Sequence, residues 1–285
     1  MLFRSHLSHM LMASYETSAF AVAGISAYFI LKKQNVVFYR RSLSLALIMA
    51  AVCAPFQVLL GDLKGMNVAE FQPAKLAAVE AHWETNTDGG ADFVLFGIPD
   101  MEAEKNHYEI VIPNLLSWII THSEDGRIQG LKEFPPSERP NSPMTFFSFR
   151  IMAGIGFIFL FVMLWAGYLW WRKRLYDSPA FLKALIAIQP LGFIATVSGW
   201  VTAEVGRQPW VVYGLMRTDE GVSPIAAGNV LWSLIMFMLF FAVIGTGYFF
   251  YTIRTLRRGP DLESPIPPVQ RLAGMRSLTS EPKME

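Results

Sequence analysis

Charge is scarce in this chain, and the scarcity excludes most soluble folds. Only 16% of its 285 residues are Asp, Glu, Lys or Arg, whereas a soluble domain carries about 25%. Cysteine is nearly absent. The single thiol, Cys53, rules out a disulfide framework or a cysteine metal cage within the chain. It lies in an apolar stretch and reads as a small hydrophobe. A basic leader followed by a short apolar run is also missing from residues 1–31, so no cleaved signal peptide is expected. No repeat of fixed period is evident.

What is present is hydrophobic sequence in long blocks. The apolar share is 53% and the aromatic share 14%. Residues 17–31, 42–61, 151–171, 184–203 and 221–253 contain no Asp, Glu, Lys or Arg. A bilayer core of about 30 Å needs about 20 helical residues. Four of the blocks meet that length. The first meets it if it extends back through Glu16 to about His9. A soluble helix would show a polar face, and residues 151–171 have none. The expected fold is all-α: a polytopic transmembrane bundle with five spans and one large external loop.

The charges that remain orient the bundle. Lys32, Lys33, Arg40 and Arg41 separate spans one and two. Arg172, Lys173, Arg174 and Lys183 separate spans three and four, and Arg254, Arg257 and Arg258 follow span five. These basic regions are expected on the cytoplasmic side. Residues 62–145 hold 14 acidic residues against six Lys or Arg, a net charge of −8. That segment is expected outside, on the periplasmic face. The N-terminus is then periplasmic and the C-terminus cytoplasmic. The organisation expected is residues 1–61 for spans one and two, 62–145 for the external loop, 146–258 for spans three to five, and 259–285 for a disordered cytoplasmic tail.

The loop carries signals of its own. KLAAVEAHW (75–83) predicts a short amphipathic helix, with Lys75 and Glu80 flanking roughly the same side. FVLFGIP (93–99) predicts a strand or turn. NLLSWIIT (114–121) predicts a short helix lying on the membrane surface. Apolar groups at that level suit a lipid-soluble substrate. The plain alternative is a folded loop that merely packs on the spans.

Ionisable groups at membrane depth are costly and point to function. His9 stands near the outer end of span one, with His6 one turn earlier. It is either a haem ligand or an interhelical hydrogen-bonding residue. Met152, at the start of span three, is either an iron ligand or ordinary core, as most of the 14 methionines are. Arg150, at the interface, either pairs with haem propionates or reaches toward lipid headgroups. Residues 199–210, GWVTAEVGRQPW, close span four. Glu204 and Arg207 are three apart and form an ion pair if helical, while Pro209 limits the helix. An aromatic-belt anchor explains Trp200 and Trp210 but not a carboxylate so close to apolar sequence.

GWVTAEVGRQPW resembles the GWxxxExGRQPW signature of cytochrome bd oxidase subunit I. His9 with the MLMASY that follows resembles the opening of that family's fifth span. KLAAVEAHWET, FGIPD and GLKEF resemble its quinol-binding loop, and FSFRIM resembles the start of the next span. The resemblance covers roughly residues 1–258. It implies that His9 and Met152 are axial ligands of a low-spin haem b, with Arg150 beside that haem. It implies that Lys75 and Glu80 serve quinol oxidation. Glu204 would serve the iron of a high-spin haem b, with Arg207 and Trp200 as neighbours of the haem pair. A haem d or a further haem b completes the expected cofactors. The activity implied is oxidation of quinol outside and reduction of dioxygen to water, in a bacterial inner membrane. The implied partners are a second membrane subunit and a small single-span subunit, with no nucleic acid.

The family's subunit has nine spans, and this sequence matches the last five. It is either part of a working subunit, active when completed by the missing spans, or a non-catalytic remnant. The short distance from GLKEF to span three indicates the short-loop type. A transporter reading, with Glu204 and Arg207 lining a path, leaves the loop motifs unexplained. Glu16, inside span one, has no account in these readings beyond a polar contact across helices.

Overall fold

The structure is a computed structural model and describes residues 2–260, with side chains from residue 6 onward. The expected disordered tail falls outside this range from residue 261. Eight α-helices dominate the described residues: α1 (Leu2–Leu31), α2 (Val36–Phe71), α3 (Pro73–Glu80), α4 (Leu115–Thr121), α5 (Ser142–Trp171), α6 (Pro179–Ile188), α7 (Leu191–Val205) and α8 (Ala227–Arg258). Two short antiparallel hairpins accompany them. One pairs β1 (Phe93–Asp100) with β2 (Lys105–Ile112), the other β3 (Trp210–Val212) with β4 (Met216–Arg217). The protein is therefore mostly helical rather than all-α. The first hairpin turns where it does because Asp100 Oδ1 accepts from the backbone N–H groups of Glu102 and Ala103, both at 2.9 Å, an Asx turn.

Four helical segments are long and apolar enough to cross a membrane: Val36–Phe71, Pro136–Trp171, Pro179–Val205 and Ala227–Arg258. α1 has the length, at 30 residues, but is not among them. His6, His9, Ser14, Glu16, Thr17 and Ser18 dilute its apolar run. The block read as span four is two helices, because Pro190 lacks the N–H that would continue α6. α7 restarts at Leu191. α2 runs ten residues past the end of its apolar block, about 15 Å at 1.5 Å per residue, and so reaches the loop directly.

The chain divides into two compact units, Met1–Pro224 and Ile225–Glu285. Within the second, α8 ends on Arg257 and Arg258, where cations suit the negative end of the helix dipole. The core of the first unit is a small-residue seam. Ala19, Ala23 and Ala27 of α1 recur every four residues, and Leu43, Ala46, Leu47 and Ala50 of α2 mark one face. Small side chains let helix backbones approach closely. Ser26 donates to Ser42 across the seam at 3.0 Å. Phe29 and Tyr39 stack at 4.5 Å. On α5, Ile155, Phe159, Val162, Ala166 and Leu169 form the matching stripe, and Phe20 stacks on Phe159 at 3.9 Å. α7 meets α1 at Gly192, where a Cβ would stand 2.8 Å from Thr17 Oγ1, so only glycine fits.

Phe20 is fully buried and stacks on Phe159 of α5. Phe20→Ala is expected to lower stability by about 3–5 kcal/mol, the usual cost of emptying a phenylalanine site. Denaturant unfolding in micelles measures this; a loss below about 1 kcal/mol would mean that the stacked pair is not the keystone of the helix contact.

Candidate functional site

The loop between α2 and α5 is anchored by its first helix. Pro73 opens α3 at its first turn, where a missing N–H costs nothing. Every residue from Ala74 to Glu80 is buried, so the helix is enclosed on all sides rather than amphipathic. Three alanines make that possible. Leu76 packs with Leu116, Ala91 and Ile128, while Ala77 and Ala78 meet Trp83 and Leu131. Ser142 Oγ, at the start of α5, donates to Ala78 O at 2.9 Å. Trp83 Nε1 donates to Asn106 Oδ1 at 2.8 Å, tying the segment after α3 to the first hairpin.

Lys75 and Glu80 do not share a side. Five helical residues turn through about 500°, leaving the two about 140° apart. Glu80 accepts from Arg150 Nη2 on α5 at 2.7 Å, and both side chains are largely buried. Arg150 also donates to Val94 O from Nε at 3.1 Å and from Nη2 at 2.6 Å. Its guanidinium stands 4.5 Å from the ring centres of both Phe93 and Phe146. Its Nη1 is buried and has no partner. Lys75 turns the other way and donates from Nζ to Ala203 O of α7 at 3.0 Å. The lysine is pushed down to about 8 by burial first, then by the cations Lys64 and Arg207, with Glu204 opposing.

The segment 199–210 lies beside this. Glu204 and Arg207 form the expected ion pair, each less than half exposed, and Arg207 Nε is buried without a partner. Trp200 is largely exposed. Thr202 and Ser148 hydrogen-bond at 2.8 Å, locking α7 to α5. Two residues further along α5 than Arg150, Met152 faces α7. A Cβ on Gly199 would stand 2.6 Å from its Sδ, so the thioether lies against a site without a side chain.

His9 is buried and meets α2. Gln57 Nε2 lies 3.2 Å from its Nε2 and 3.4 Å from its Nδ1. Sequence reasoning missed Gln57, although an amide inside an uncharged 20-residue block is a signal. It also missed Ala203 and Val94, which act through their backbone carbonyls and leave no mark in the sequence. Glu16 is buried with Oε1 unpartnered. Among the described residues, no three His, Cys, Asp or Glu side chains gather into a cage for a bare metal ion.

A helical membrane protein with a folded loop clamped onto two of its helices is thus the class that fold and site define. The model described as cytochrome bd terminal oxidase subunit I matches residues 2–260. The chain belongs to the cytochrome bd terminal oxidase subunit I family. It is similar to cytochrome bd ubiquinol oxidase subunit 1 of Bacillus subtilis (strain 168), at 35% identity over 89% of this chain and 56% of the relative. It is similar to a putative cytochrome bd menaquinol oxidase subunit I of the same organism, at 30% identity over 88% of this chain and 57% of the relative. Among solved structures, the bd oxidase from Geobacillus thermodenitrificans aligns with a TM-score of 0.77 at 33% identity, covering 90% of this chain and 58% of that one. The chain spans just over half the length of these relatives. With its apolar helices and its family, it is a multi-pass protein of a bacterial inner membrane.

Two predictions follow from the charges around α3. Arg150→Ala leaves Glu80 buried without its cation and is expected to cost about 3–5 kcal/mol. Adding Glu80→Gln should recover a large part of that loss; a double-mutant cycle with no coupling would mean that the pair does not hold the loop. For Lys75, the unfolded side chain titrates near 10.4, so between about 8 and that value the unfolded state binds more protons. Stability relative to Lys75→Met should therefore rise with pH across that window, and the cost of burying the charge should be complete below it. Unfolding midpoints of both proteins at the two ends of the window measure this, and a flat difference contradicts it.

Proposed function

We propose that this chain is a haem-bearing subunit of a terminal quinol oxidase. It oxidises quinol at the periplasmic face and passes electrons through b-type haems to dioxygen. α1 is the fifth span in this reading, the acidic loop of residues 62–145 is periplasmic, and the N-terminus is outside. The observation that carries it is the buried Arg150. It is held by Glu80, and its free Nη1 donor stands two residues from Met152.

The donor set suits haem. An imidazole, a thioether and a spare guanidinium donor are what a low-spin haem requires of its ligands and its propionates. His9 and Met152 would hold the iron, Arg150 a propionate, and Glu204 the iron of a high-spin haem b, with Arg207 and Trp200 as its neighbours. Haem d or a further haem b would complete the set, and a second membrane subunit, with a small single-span one, would complete the assembly. Such haems supply one-electron steps and an iron that binds dioxygen.

The chain's own residues do the rest. Gln57 presents an amide to the His9 ring and so restricts its orientation. The loop brings Glu80, a carboxylate able to take a proton as quinol is oxidised, to the same helix end as Met152. Each quinol gives up two electrons and two protons. Two quinols thus reduce one dioxygen, with four protons, to two waters. Arg150 binds the carboxylate and the loop carbonyl of Val94 together, which holds the donor side against α5.

A reduced-minus-oxidised spectrum of membranes carrying the intact oxidase tests this. The low-spin b signal is expected to vanish in His9→Ala and in Met152→Ala, with folded protein still present by immunoblot. Retention of that signal in both variants would reject the ligand pair.

A further inference from the structure

Lys75 is a loop residue that the resemblance ties to quinol oxidation, yet its side chain is engaged elsewhere. The lysine is 8% exposed. Its ammonium donates to Ala203 O, in the last turn of α7. Its methylene stem lies on Gly206, where a side chain would stand 3.0 Å from Cε and 3.2 Å from Cγ. The last carbonyls of a helix lack helical partners and gather the negative end of its dipole, so a buried cation is well matched there. Glu204 is the next residue after Ala203, and its partner Arg207 follows Gly206. The contact therefore grips the turn that carries the ion pair on both sides of Glu204.

The opposite end of α3 grips α5 through Glu80 and Arg150, and Ser142 closes on its middle. α3 is thus a bridge between two helices whose polar groups serve different haems in the reading above. We propose that Lys75 is a positioning residue: it pins the C-terminal turn of α7, sets where the Glu204–Arg207 pair points, and makes α3 the mechanical link between the quinol-oxidising loop and the site at Glu204. This rests on the proposed oxidase function for its consequence, but the pin itself is a property of the fold.

The test uses the intact oxidase with Lys75→Met, which keeps the stem and removes the ammonium, and Lys75→Arg, which restores a cation. The first readout is the optical and paramagnetic signature of the haem at Glu204, recorded without quinol. Lys75→Met is expected to shift it, and Lys75→Arg to return it toward wild type. With quinol, Lys75→Met is expected to lower kcat by about fivefold with KM within about twofold. A quinol-free signature identical to wild type, with KM alone raised, would make Lys75 a substrate contact and overturn the proposal. The second readout is hydrogen exchange at the amides of Gly206 and Arg207, which needs no haem. Faster exchange in Lys75→Met supports the pin, and unchanged exchange removes it. If wild type holds no haem at Glu204, the oxidase reading fails while the exchange result still decides the pin.

Discussion

A buried guanidinium must have a carboxylate within reach, and Arg150 of α5 finds one in Glu80. Removing two charges from water costs several kcal/mol each, and the mutual attraction offsets this only when the geometry is good and other donors are matched. Here the match is built from three sides. Glu80 accepts at 2.7 Å, Val94 supplies its carbonyl, and Phe93 and Phe146 present their ring faces. The partners come from three stretches: α3, β1 and α5 itself. Partnering one side chain through Nε and Nη2 therefore docks a helix and a strand together onto the end of a long apolar helix.

That docking orients α3, and α3 distributes the consequences. With its seven residues from Ala74 to Glu80 buried, it cannot rotate without breaking contacts on every side. Its alanines let Trp83, Leu116 and Leu131 close around it, and Lys75 falls opposite Glu80, against α7. The same helix thereby touches the neighbourhood of Met152 on one side and that of Glu204 on the other. Ser148 and Thr202 fasten α5 to α7 beneath it. A loop built this way is held to the bundle with little freedom.

The α1–α2 seam shows the same economy of polar groups inside apolar surroundings. The helices run antiparallel, from the Phe29–Tyr39 stack through Ser26 and Ser42 to His9 and Gln57. Small residues hold the backbones close, and the polar residues face one another across the seam instead of facing lipid. In water His9 would be an unremarkable surface residue. In this seam it is buried, with the Gln57 amide against its ring.

The sequence alone determined whatever depends on a local constraint. A bilayer admits only long uncharged helices, so the charge-free blocks marked four segments that the structure finds apolar enough to span. Helical periodicity placed Glu204 and Arg207 one turn apart, and they pair. Pro190, visible in the sequence, broke a block that composition alone had left whole. Tertiary structure decided who answers each buried polar group. Glu80 meets Arg150 across 70 residues, His9 meets Gln57 across 48, and Lys75 reaches Ala203 across 128. Two of the groups involved, Ala203 and Val94, act through backbone carbonyls that any residue would provide. A turn angle or an apolar run is a property of neighbours in the chain. The matching of desolvated donors to acceptors is a property of the packed bundle, and only its geometry gives Lys75 a carbonyl of α7 and Glu80 a guanidinium of α5.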